Sequence, residues 1–65
     1  MPKYPGIKVK LVGTDGNAFA VLGKVTTALK KANVPSVEVE KFRDEATSGN
    51  YDHLLQTCMD WCEIS

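Results

Sequence analysis

The sequence predicts a small α+β domain in the order β-α-α-α-β, on three observations. Ile7 to Val12 alternates apolar and basic residues with period two. Two segments, beginning at Ala18 and Tyr51, carry helical periodicity, and the tail Trp61-Cys62-Glu63-Ile64 is short and β-prone. With 65 residues, 43% of them hydrophobic, the chain makes one domain at most. A domain of that size buries only about 60% of the surface its unfolded chain exposes, which leaves a thin core and little room for a deep pocket.

The first strand is read at residues 7 to 12, with Ile7, Val9 and Leu11 on one face and Lys8 and Lys10 on the other, and Gly13 ends it. The preceding MPKYPG is read as terminal slack, with residues 1 to 5 flexible, because two prolines and a glycine discourage helix. GTDGN is turn chemistry in which Asp15 or Asn17 caps a helix. From Ala18 the stripe Ala18, Leu22, Val25, Leu29 and Ala32 repeats at four-three spacing, Phe19 and Ala28 widen it, and Lys24, Thr27 and Lys31 face solvent. Gly23 sits inside this helix at a cost of about 1 kcal/mol relative to Ala. A close backbone approach by another element is the expected reason. Asn33 is the expected stop.

Residues 36 to 48 admit two readings. Val37-Glu38-Val39-Glu40 alternates like a strand, which would give a β-α-β-α order, whereas Val39, Phe42 and Ala46 keep helical spacing. The helix is favoured, because Pro35 and Ser36 suit a first turn, Glu38 suits the positive end of the helix dipole and Gly49 suits a stop. After Asn50, a capping residue, Tyr51, Leu54, Leu55, Cys58, Met59 and Cys62 form an amphipathic stripe, with Tyr51 packed beneath the helix. The helix is ended near Met59 or Asp60. The first strand needs a partner for its backbone groups, and the tail can supply one, bringing Lys8 or Lys10 near Glu63.

At GTDGNAF, Leu22-Gly23 and EATSGNYDHLLQT the chain resembles, over nearly its whole length, a family of small proteins encoded by bacteria and their phages that has no established activity. The resemblance implies no catalytic residue. It supports the helix at 36 to 48 and the closing strand.

Formal charge is zero, yet it is unevenly placed. Residues 1 to 33 hold six lysines against Asp15, a net of +5, and residues 34 to 65 hold Lys41 and Arg43 against seven acids, a net of −5. Complementarity across one core is the favoured reason. A nucleic-acid surface built on Lys24, Lys30 and Lys31 with Lys8 and Lys10 comes second, because a basic nucleic-acid domain shows a positive excess and stacking aromatics near its cations.

Chemistry is sparse. Gly23-Lys24 misses the phosphate-loop pattern GxxxxGK[ST] at Ala18 and Val25. The loop with Gly13, Gly16 and Asn17 runs from a strand into a helix start and is a weak anion candidate, opposed by Asp15. Cys58, Cys62 and His53 are the possible metal ligands, but His53 projects from the polar side of the helix, so all three cannot meet one ion. The cysteines are expected to be buried, reduced and unmetallated. One histidine and no nucleophile-base constellation point away from an enzyme and from any cofactor. No run is long enough to span a membrane and the start lacks a signal h-region, so a cytoplasmic protein is expected.

For partner contact the candidates are Trp61, Lys24, Lys30 and Lys31. Trp61 lies off the apolar stripe. A helix continuing through Cys62 would expose it as a hot-spot residue, and a strand beginning near Asp60 would bury it. The function read from these residues is a non-enzymatic binding or regulatory module for a protein partner or for itself, the open edges of a two-stranded sheet pointing to a homodimer. The alternative is a nucleic-acid-associated accessory protein using the lysine face.

Overall fold

Local signals place the helices. The computed structural model describes residues 1–65 and shows β1 (Tyr4–Val9), α1 (Ala18–Lys31), α2 (Ser36–Ala46), α3 (Tyr51–Trp61) and β2 (Cys62–Ile64). Asn17 caps α1, its side chain accepting from the Ala20 amide at 2.8 Å, and Asn50 caps α3 by accepting from the His53 amide at 2.9 Å. Each satisfies an amide that the first helical turn leaves without an intrahelical partner. At the far end of α1, Asn33 takes the left-handed conformation (φ 63°), the Asn33 amide donates to the Lys30 carbonyl and the Val34 amide to the Leu29 carbonyl. That pair of bonds closes a Schellman motif. Residues 36–46 are helical, so the β-α-β-α order does not occur. Val39, Phe42 and Ala46 reach the core from α2 as their spacing predicts.

The sheet joins the two ends of the chain. β1 and β2 pair in parallel, with three helices forming the crossover that a parallel pair requires. Between Tyr4↔Cys62 and Lys8↔Glu63, β1 advances four residues while β2 advances one, so Pro5-Gly6-Ile7 bulges out of the ladder. Pro5 has no amide to donate, which makes the bulge the economical place for it. Pairing resumes at Lys8↔Glu63, continues at Val9↔Ile64 and runs on through the Ser65 amide to the Val9 carbonyl (3.0 Å) and the Leu11 amide to the Ser65 carbonyl (2.8 Å).

Several boundaries differ from the sequence reading. The strand spans residues 4 to 9, not 7 to 12, and Val12 is exposed. Tyr4 and Pro5, read as slack, belong to β1, because the Lys3 amide donates to the Asp60 carbonyl at 2.8 Å and so satisfies one of the last carbonyls of α3. α3 continues to Trp61, beyond the Met59 or Asp60 expected, and switches into strand at Cys62 without an intervening loop.

The core is a single cluster of Val9, the α1 row Val21-Val25-Leu29, the α2 trio, and Leu54, Cys58, Trp61 and Cys62. On α1 the buried row runs through Val21, so Phe19 (87% exposed) and Ala18 lie off the core instead of extending its stripe. On α3 it runs Leu54-Thr57-Cys58-Trp61, and Tyr51 and Met59 face outward. The buried Thr57 hydroxyl donates to the His53 carbonyl at 2.8 Å, which satisfies it without leaving its own helix. Gly23 has no neighbour in reach: a Cβ there would find nothing within 4 Å. The expected close approach is absent.

Candidate functional site

Trp61, the first residue proposed for contact, is 4% exposed and belongs to the core. The helix does continue through it, but its position seven residues after Leu54 puts it on the inward row. Its ring meets Phe42 edge-on (5.5 Å, 67°) and Tyr4 at a tilt (5.9 Å, 33°), and Lys3 Nζ lies 4.3 Å above it. Lys3 also pairs with Glu38 at 2.6 Å, and the Tyr4 hydroxyl donates to the same carboxylate at 3.3 Å. The lysine holds the Glu38 carboxyl below its ordinary range, and the same hydrogen bond raises Lys3. Burial, then the nearby Glu38 charge, raise the Tyr4 phenol. This cluster fastens the amino terminus to α2 and the end of α3. Nothing in MPKYPG signalled it, because its partners lie 34 to 58 residues away.

The three lysines of α1 do not form one patch. Lys24 and Lys31, seven apart, share a helix face and border a groove whose other wall is Lys8 and Val9 of β1 and Lys10 just beyond it, with Gly23 and Thr27 beside them. Lys30, one residue before Lys31, turns about 100° away and lines a separate hollow with Glu40 and Arg43 of α2. Complementarity between the charged halves is realised at one ion pair only, Lys3 to Glu38. Lys8 stands opposite Glu63 in the strand register, as expected, yet no ion pair forms there, and Lys24 Nζ donates to the uncharged Thr14 Oγ1 at 2.9 Å. The groove keeps its positive charge.

The anion candidate is a turn and a cap. Gly13 adopts φ 84°, a conformation that favours glycine. The Asn17 side chain occupies the Ala20 amide, the Asp15 carboxylate accepts from the Asn17 amide at 3.3 Å, and the Thr14 amide donates to the Leu11 carbonyl. Three amides of this segment are thus engaged within it, and the Asp15 carboxylate places a negative charge in the same turn.

Cys58 and Cys62 are free thiols in the core, and burial pushes the Cys58 thiol up to about 11 and raises Cys62 as well. His53 is half-buried, against the expectation of a polar-side residue. Its Nε2 donates to the Glu45 carbonyl at 2.9 Å with Ser48 Oγ at 3.1 Å, closing the α2–α3 turn. Gly49 lets the ring sit there, since a Cβ at that position would fall 2.9 Å from His53 Cβ and Cγ. No three of the His, Cys, Asp and Glu side chains converge in a way that could hold a metal ion. No helix is long and apolar enough to cross a membrane.

The surface that sequence reasoning missed lies between the start of α1 and the α2–α3 turn. Phe19 and Tyr51 stand at the rim of an apolar groove floored by Leu22, Ala46 and Leu54. Its volume, about 260 Å³, falls below the range of about 300–1,000 Å³ typical of small-molecule pockets and suits an inserted side chain. The available signal was the breadth of the apolar stripe on α1, which is wider than one packed face can use. Comparison with known proteins adds no relative: no family, curated protein or solved structure matches the chain.

Proposed function

We propose that this chain is a non-enzymatic binding module that engages a protein partner, or a second copy of itself, through the apolar groove rimmed by Phe19 and Tyr51. The carrying observation is Phe19, an aromatic 87% exposed beside an open apolar groove. Contiguous exposed apolar surface marks interaction sites, and aromatics on such a rim supply large contact area at low entropic cost. Phe19 is 87% exposed and stands outside the buried core, so Phe19→Ser leaves folding intact.

The test pairs sedimentation equilibrium of the parent and Phe19→Ser chains with isotope-quantified affinity capture, each captured protein then purified and titrated directly. Self-association or a direct interaction weakened about tenfold or more by Phe19→Ser supports the reading. A monomeric parent whose direct interactions are all indifferent to Phe19→Ser overturns it.

A second reading, a nucleic-acid accessory protein, rests on the uncompensated lysines of the β1–α1 groove. Phosphate contacts weaken steeply with salt, whereas an apolar interface does not, so affinity measured at two ionic strengths separates the two.

A further inference from the structure

The β1–α1 groove combines three features that the apolar site does not explain. First, β1 has a free edge. The Val9 carbonyl and the Leu11 amide both point at Ser65 of the closing strand. Backbone groups of successive strand residues point to opposite edges, so the amides and carbonyls of Lys8 and Lys10 face away from β2, which pairs along one side only. Second, the groove beside that edge is lined by Lys8, Lys10, Lys24 and Lys31 and by no acid, and none of the four forms an ion pair. Third, its helical wall carries Gly23, a residue unfavourable in a helix, with open space where a side chain would stand.

We infer that this groove accepts an extended acidic peptide segment as a third strand on the free edge of β1. Such a segment satisfies the outward amides and carbonyls of Lys8 and Lys10, its carboxylates lie among the four lysines, and the missing side chain at Gly23 gives its backbone room against α1. Strand addition takes its affinity from main-chain hydrogen bonds and its selectivity from alternate side chains. A nucleic-acid strand fits less well, because the groove lining contains no aromatic residue on which bases could stack. The inference shares with the proposed function only the idea of a protein partner. It uses a different surface and stands or falls independently of Phe19.

The experiment uses a capped heptapeptide alternating Glu and Val, titrated into the isotopically labelled full-length protein and followed by amide chemical shifts and hydrogen exchange. Binding slows exchange at the Lys8 and Lys10 amides. N-methylating the alternate peptide amides that face β1 weakens binding about tenfold or more, because each removes a main-chain donor. Gly23→Leu weakens it comparably without lowering the melting temperature, since Leu is a good helix former and its side chain enters the groove. Phe19→Ser binds the peptide as the parent does, whatever becomes of the apolar site. The proposal is overturned if the peptide does not bind, if methylated and unmethylated peptides bind alike, if the protected amides belong to β2 or to the Phe19 groove, or if a short oligothymidylate displaces the peptide and binds more tightly than it does.

Discussion

Gly23→Ala should stabilise the protein. The residue lies in the middle of α1, is exposed, and has no Cβ neighbour within 4 Å, so the substitution adds neither contact nor clash. What remains is the helix-propensity difference, about 0.8 to 1.0 kcal/mol in favour of Ala, arising mainly from the larger conformational entropy that Gly holds in the unfolded chain. In a domain of this length about 1 kcal/mol corresponds to a rise of about 4 to 8 °C in melting temperature. Gly49→Ala supplies the opposite sign as a control. Its methyl would fall 2.9 Å from His53 atoms, in a ring fixed by its bond to the Glu45 carbonyl, and overpacking of that kind costs about 1 to 3 kcal/mol. Urea and thermal unfolding followed by circular dichroism read both. A Gly23→Ala chain that melts at or below the parent temperature would refute the reasoning, because some element must then approach the helix at that point in solution. So would a Gly49→Ala chain as stable as the parent.

Other outcomes follow from the core and the sheet. Ending the chain after Asp60 removes Trp61, whose truncation to Ala alone belongs to a class costing about 3 to 5 kcal/mol, and also removes the partner of β1. Against a total stability of about 3 to 10 kcal/mol for 65 residues, the fragment should show no cooperative melt, and a transition near the parent temperature would show the closing strand to be dispensable. The buried thiols give a pH signature. Because burial raises the folded Cys58 thiol from 9.0 to about 11, the unfolded chain loses that proton first as pH rises. The stabilisation is therefore complete below pH 9.0 and is lost progressively toward about 11. Denaturant melts at pH 8 and 10.5 should differ less in Cys58→Ala than in the parent, and equal differences would remove Cys58 from the account.

How much of this was legible in the sequence depends on the range of the interaction. Asn17, Asn33 and Asn50 mark helix ends through hydrogen bonds that reach only a few residues, so the boundaries they set could be read directly. The α2 helix was legible only in part: the spacing of Val39, Phe42 and Ala46 competed with the strand-like alternation of Val37 to Glu40, and the end signals at Pro35, Ser36, Glu38 and Gly49 favoured the helix that forms. Where a helix is apolar on more than one side, periodicity cannot choose. On α1, Phe19 and Val21 are both apolar, and only the crossing of α1 over β1 and α2 buries one and leaves the other at the rim of a groove.

The sequence by itself determined the order of elements, the three helices, and the need of the first strand for a partner in the tail. The tertiary structure decided the parallel register, the bulge at Pro5 to Ile7, the burial of Trp61 under Tyr4 and Phe42, the Lys3–Glu38 pair and the gathering of Lys8, Lys10, Lys24 and Lys31 around one groove. Helices and caps are stabilised by groups three or four residues apart, which leave a local pattern. Strand pairing and core contacts join residues up to about the full chain length apart, and which of several apolar or charged groups meet is settled only when all the elements pack at once.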